Sequence, residues 1–281
     1  MAVRLAQISD THLSAGHSGF TANFDVLADH LRSAPPDLVV NTGDVSAHGE
    51  LADAAAMADL AFAHDRHAGL GIDWLAVPGN HDVGNDPAVA AANGCDRHRV
   101  TRWNAVFGPD RFVRDVPGWG LIGLNSLALG TDMADGQFDF LTEALDGGTG
   151  RRVALFLHKP LCEETMDETA PTYWSVLPSP RRRILDLLGA RPPAFVASGH
   201  VHQWRDRGIS EGLRQIWAPP VAFIVGDRWQ HRVGDKLLGY VEHVLHADGR
   251  HECRLIELPE LTRHDIGLMP GVYGPQQPVA A

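Results

Sequence analysis

Apolar runs a few residues long recur along the chain and end at polar or Gly-containing turns: VRLAQI, DLVVNT, DWLAVP, GLIGLN, RVALFLH and AFVASGH. Runs of this length and composition read as buried strands. Between them lie stretches with helical spacing. FDVLADHLRSA is one, the Ala-rich ELADAAAMADLAFAHDRHA is the longest, and QFDFLTEALDG stops at a Gly. PSPRRRILDLLGARPP carries Pro near its start and Gly after its last periodic residue, the usual asymmetry of helix ends. Strands alternating with helices predict α/β layers up to about residue 200. Beyond that, GLRQIWAPPVAFIV, KLLGYVEHVLHADG and HECRLIEL read as strands joined by turns, so the second half adds antiparallel pairing. The pattern predicts an α/β protein of two packed sheets with helices outside. It forms one domain over residues 1–258, followed by an extended Pro/Gly-rich tail over 259–281.

Composition narrows the classes. The 281 residues are 44% hydrophobic and 21% charged, ordinary values for a soluble globular protein with a sizeable core. The net charge of −11 works against a long nucleic acid as partner. The densest basic cluster, Arg181 to Arg183, reads as a solvated helix face. Three scattered cysteines give no disulfide framework. Neither a signal peptide nor a membrane-spanning run is evident, so a cytoplasmic protein without a membrane partner is expected.

The polar residues at the strand ends change the picture. Asp10 and His12 stand two apart where the first strand ends, so their side chains point to the same side. Open α/β sheets bind ligands at such carboxyl ends. A capping Asp beside a surface His would explain that pair equally well. Asp44 follows Gly43 after the second strand, and a turn Asp would look the same. Asn80, His81 and Asp82 follow a Pro-Gly turn after the third. His158 ends a later apolar run, where a lone His is more often a core residue. His200 and His202 form an H-x-H at another strand end. Independent turn residues would not keep placing metal-competent groups at strand ends. The set mixes imidazole, carboxylate and amide without thiolate, which suits Mn, Fe, Zn, Co or Ni. Seven ligands exceed the needs of one ion and imply two, with Asp44 the natural bridge.

In this order, Asp10-Thr11-His12, Gly43-Asp44, Gly79-Asn80-His81-Asp82, His158-Lys159-Pro160 and Gly199-His200-Val201-His202 resemble the motifs of the calcineurin-like metallophosphoesterases. The resemblance implies a four-layer αββα sandwich of two mixed sheets with a dinuclear centre, Mn or Fe being favoured. By position, one metal would take Asp10, His12, Asp44 and His202. The other would take Asp44, Asn80, His158 and His200, and His81 would be a catalytic residue that binds no metal. Lys159 stands where many members have a second His. The loops are similar to the bacterial branch of class III cyclic-nucleotide phosphodiesterases and glycerophosphodiesterases.

That resemblance implies a phosphodiesterase acting on a small phosphoester, with a phosphomonoesterase or a nucleotide or phospholipid-headgroup hydrolase as alternatives on the same centre. Two close cations lower the pKa of a shared water toward about 7. His81 is the candidate proton donor to the leaving group, and Asp82 either orients it or caps its loop. A metal-free scaffold of the same fold would have lost ligands, and all are present. A metallo-β-lactamase would show H-x-H-x-D-H early, which this chain does not. His17, His30, His64, His67 and His243 read as surface or packing residues, with His48 left open. The segment CEETMDETAPTYW reads either as a lid whose Tyr173 and Trp174 stack on a leaving group or as an anchored surface loop. Homo-oligomerisation is compatible with all of this.

Overall fold

The computed structural model describes residues 2–52, 54–148, 150–189 and 191–279; the outermost residues of the expected domain and tail, Met1, Ala280 and Ala281, lie outside them. The strands in chain order are β1 (Ala2–Ile8), β2 (Leu38–Asn41), β3 (Trp74–Ala76), β4 (Phe112–Val116), β5 (Trp119–Gly123), β6 (Arg152–Phe156), β7 (Phe195–Ser198), β8 (Arg205–Ser210), β9 (Leu213–Trp217), β10 (Gly239–His246) and β11 (His251–Glu257). The helices are α1 (Ser18–Ser33), α2 (Ala54–Ala68), α3 (Asn80–Val83), α4 (Arg97–Phe107), α5 (Ala134–Gly147), α6 (Pro178–Leu188) and α7 (Pro270–Tyr273).

The strands form two mixed sheets. One has the order β11-β10-β1-β2-β3, the other β4-β5-β6-β7-β9-β8. In the first, β1, β2 and β3 run parallel while β10 and β11 are antiparallel additions. The second is parallel through β5, β6, β7 and β9, with antiparallel edges. Period-2 alternation sends neighbouring residues of one strand to opposite faces. On β6, Ala154 and Phe156 join Leu5, Val40 and Trp119 between the sheets, while Leu155 faces α5 and α6. On β2, Leu38 and Val40 face the partner sheet and Val39 faces Leu27 of α1 and Leu60 of α2. Helices on both outer faces make the arrangement a four-layer αββα sandwich. Each fully buried Leu or Phe contributes roughly 1.5–3 kcal/mol, so both faces of each central strand are held.

Polar side chains enter the layer between the sheets. His243 on β10 stacks on Phe195 of β7, and its ring nitrogens meet His251 Nε2 at 2.9 Å and Gln7 Oε1 at 3.0 Å. His67 is buried against Asn41 and the Ala63 carbonyl. Both are packing histidines, as expected.

Two expectations fail, and three elements go unread. α4, β4 and β8 escape the apolar pattern. Arg181 is not on a solvated face: it is 2% exposed, and its guanidinium donates to the carbonyls of Leu161, Val176 and Glu168. It fastens the base of the 162–174 segment, while Arg182 and Arg183 remain outside. The segment after Pro259 is not simply extended. Leu261 and Ile266 are buried, a 3-10 turn spans Ile266–Leu268, and α7 follows.

Candidate metal centre

Every expected ligand stands just past a strand, where the chain turns sharply. Asp10 and His12 follow β1, Asp44 follows β2, Asn80 opens α3, His158 follows β6, and His200 and His202 follow β7. Six non-glycine residues have positive φ among the described residues, and five of them are Asp10, His12, Asp44, His200 and His202. Such backbone costs on the order of 1–3 kcal/mol per residue and concentrates at functional sites. Close approach is also built in. A side chain on Gly79 would collide with the Asp44 carboxylate, so only glycine lets the third strand's loop lie against the second's.

The donors converge in two groups that share Asp44. Asp10, His12, Asp44 and His202 bring their donor atoms within 4.8 Å of one another, as do Asp44, His158 and His200. In the first group His202 Nε2 lies 3.2 Å from Asp10 Oδ1, and His12 Nε2 lies 3.4 Å from His202 Nε2 and 3.7 Å from Asp44 Oδ2. In the second, His158 Nε2 lies 3.4 Å from Asp44 Oδ1, 3.1 Å from Asn80 Oδ1 and 3.1 Å from His200 Nδ1. The two oxygens of Asp44 thus face different groups, the geometry of a bridge.

The second nitrogen of each imidazole is already engaged. His158 Nδ1 donates to the Thr42 carbonyl at 2.8 Å, His202 Nδ1 to Phe223 at 2.9 Å and His200 Nε2 to Tyr173 at 2.9 Å. His12 Nδ1 meets Tyr273 Oη at 2.7 Å. Anchoring one nitrogen leaves the other's lone pair aimed at the centre, as metal-ligating histidines require. Burial holds His12 and His200 well below their usual pKa, which keeps lone pairs available. Asp44 is held well below the carboxylate range: burial opposes its charge, and His158 and His81 overcome that. Burial works against charge on His158 and His202, but Asp44 and Asp10 overcome it and raise both, so closely packed lone pairs here need a proton or a cation between them; the mixed nitrogen and oxygen donor set fits two divalent ions.

His81 faces the cavity beside these groups. Its backbone N–H donates to Asp44 Oδ1 at 2.7 Å and its Nδ1 to the Ala47 carbonyl at 3.2 Å, which leaves Nε2 on the other side of the ring. Asp82 does not orient that imidazole. Its carboxylate accepts from the N–H groups of Gly79, Val45 and Ser46 and from Ser46 Oγ, at 2.7–3.1 Å. It ties two ligand-bearing loops together, which makes it a positioning residue and corrects its expected catalytic role.

A cavity of about 330 Å³ opens on the centre. Tyr173 and Trp174 line one wall, their rings 5.2 and 5.6 Å from His200. Lys159 lies behind, donating to Asn85 Oδ1 at 3.1 Å, with Nζ 5.8 Å from the Tyr173 ring; burial lowers its pKa to about 8. Phe223, Ile266 and Tyr273 form the opposite wall. These three escaped the sequence reading, because nothing in APPVAFIV or DIGLMPGVYG marks a site. His17 and His48 meet at 2.8 Å beside Tyr273 at the rim.

The pattern of calcineurin-like phosphoesterases matches residues 3–204. The chain belongs to the calcineurin-like phosphoesterase family. A search among curated proteins finds no match. Several solved structures share the fold. A dimetal phosphatase from Danio rerio is 15% identical, with 91% of this chain and 98% of that chain covered at a TM-score of 0.58. Purple acid phosphatase PPD1 from yellow lupin is 12% identical, with 94% and 53% covered at 0.66. GAP50, the anchor in the inner membrane complex of Plasmodium, is 10% identical, with 100% and 90% covered at 0.63. At these identities the likeness is one of fold. This calcineurin-like phosphoesterase carries candidate ligands for a dinuclear site, and no helix among its described residues is long and apolar enough to cross a membrane.

Proposed function

We propose that the chain hydrolyses small phosphodiesters at this centre, using two transition-metal ions, with Mn or Fe as the favoured pair. Asp10, His12, Asp44 and His202 would hold one ion, and Asp44, Asn80, His158 and His200 the other. The bound ions supply charge neutralisation and a more acidic water. The chain's own groups do the rest. Asp44 sets both halves in register through its two oxygens. His81, pinned at Nδ1, presents Nε2 to the leaving group. Burial lowers its pKa in the free protein, and an arriving phosphate anion favours the protonated form. The proton on Nε2 then passes to the departing alkoxide oxygen. Tyr173, Trp174 and Phe223 exclude water and offer flat apolar faces to an organic leaving group.

One observation favours the diester over the monoester: no lysine or arginine lines the cavity among the described residues. A monoester is dianionic near neutral pH and its second charge calls for a further cation, whereas a diester carries one charge and two organic groups that suit aromatic walls. The net charge of −11 disfavours long nucleic acid, so the substrate is small. The test is turnover of bis(p-nitrophenyl) phosphate against p-nitrophenyl phosphate, with Mn²⁺ and after chelation. The diester should be preferred by at least about tenfold in kcat/KM, a difference of about 1.4 kcal/mol, and chelation should abolish both activities. Equal or greater monoester turnover would overturn the diester reading, and activity that survives complete metal removal would overturn the two-ion reading.

A further inference from the structure

We infer that Tyr273, brought in by the C-terminal segment, is a positioning residue of the metal centre: its phenol oxygen fixes His12 and its ring seats His81. Of the four imidazoles that face the centre, three rest on main-chain carbonyls and His12 alone rests on a side chain, at 2.7 Å. The contact is on the far side of the ring from the ion site. His12 Nε2 points at Asp44 and His202, so Tyr273 Oη on Nδ1 supports a ligand without competing with an ion. An imidazole that gives the lone pair of one nitrogen to a metal carries its proton on the other. The Nδ1–H therefore donates to the phenol. The tyrosine ring also lies 4.4 Å from that of His81, which lies 4.9 Å from His12, and with His12 and Tyr273 5.7 Å apart the three rings pack as a triangle. His81 thus packs against both members of the pair.

The segment is built to hold this position. Asp265 accepts from the N–H groups of Gly226 and Gly267, both at 3.0 Å. Ile266 is buried, and its N–H donates to the Ile224 carbonyl. Any side chain on Gly267 would collide with the Trp229 ring, so the backbone lies directly on that indole. Pro270 opens the helical turn α7 that ends at Tyr273, and beyond it the Val279 N–H donates to the Arg228 carbonyl. Tyr273 is therefore tethered on both sides, six residues before and after its own position. All of this lies past residue 204, outside the region shared with the family pattern. The inference rests on the reading of the seven side chains as a two-ion site.

The test uses the full chain stripped of metal. Mn²⁺ is titrated by calorimetry, bound ions are counted by elemental analysis, and wild type is compared with Tyr273→Phe, which keeps the ring over His81 and removes only the oxygen. Wild type should bind two ions. The variant should bind one of them unchanged and the other about 10–100-fold more weakly, the usual cost of losing a partner to a ligating histidine. A second readout separates positioning from general support. In the Co²⁺-loaded protein the ligand imidazole N–H protons are shifted and exchangeable, and Tyr273→Phe should speed exchange of one of the four while the others stay. Two ions held as tightly as in wild type, or four unchanged N–H signals, would overturn the role of Tyr273 and leave the centre intact. A wild type that holds fewer than two ions would overturn the two-ion reading itself.

Discussion

On one side of Asp44, His12 and His202 rest on Tyr273 and on the carbonyl of Phe223; on the other side, His158 and His200 rest on the carbonyls of Thr42 and Tyr173. The second half is supported wholly from residues before 204: main-chain carbonyls hold its two imidazoles, and Asn80 Nδ2 donates to Tyr173 Oη at 3.4 Å. The first half takes its ligands from the strand ends but its supports from the C-terminal third. The Val221 and Ala222 N–H groups donate to the carbonyls of Ser9 and Asp10, which lays the Phe223 loop across the end of β1. One half is therefore completed within residues 3–204, and the other depends on segments beyond the region matched by the family pattern.

The change with the largest effect is the one that ignores this division. Asp44→Asn removes the shared charge, so bound metal should fall from two ions to fewer than one per chain. Turnover should fall by more than about 10⁴-fold, as happens when a group acting as a unit with others is lost. Two tightly held ions in that variant, by elemental analysis, would deny the bridge. Next comes the comparison itself. His202→Ala and His200→Ala should each lose one ion and keep the other. If either variant loses both, the halves are one cooperative site and their different supports carry no meaning.

His81→Ala should leave both halves loaded. The ring contacts His12 and Tyr273 but points its reactive nitrogen into the cavity. We expect two ions per chain, unchanged metal affinity, and a kcat lower by about 10²–10⁴-fold, the range for a lost general acid. A substrate with a good leaving group such as p-nitrophenolate should lose less than an alkyl diester, because it needs less help from a proton. Equal losses on both substrates would move His81 from proton transfer to substrate binding.

The difference between the halves also explains what could be read from the sequence. The candidate ligands were legible because each closes an apolar run, so their meeting follows from the strands lying side by side. Tyr273 and Phe223 were not, because Tyr273 reaches His12 from 261 residues away and the Phe223 loop turns back on His202, and no local period records either contact. Arg181 looked like part of a charged face; it is buried because the segment before α6 folds back on it. α4 was missed since only Val100 and Trp103 of RHRVTRWNAVF are buried, too few to show a stripe. β4 and β8 are edge strands of the second sheet, half-exposed and short of apolar residues, so the run of buried residues that marks the central strands is absent.

Glu50 offers the smallest and most local test, because it belongs to neither half. It is buried behind His81, with Oε1 3.7 Å from His81 Nδ1 and 3.3 Å from Asn93 Nδ2, while Oε2 has no hydrogen-bond partner. Burial, reinforced by Asp44 and Asp82, pushes its pKa up to about 8 from 4.5. Between those values the folded chain keeps a proton that the unfolded chain has released, so stability must fall as pH rises across the interval. The contribution is fully present below about 4.5 and is lost as pH passes through about 8. Glu50→Gln has no such proton to lose. In urea unfolding of the metal-free proteins, wild type should therefore lose about 3 kcal/mol relative to Glu50→Gln between pH 5 and 8. If the gap between the two proteins does not change with pH, Glu50 is ionised in the fold and pairs with a charged His81. The proton on His81 would then be held by this carboxylate before any substrate arrives, and the support of the leaving group would extend one residue deeper than either half of the centre.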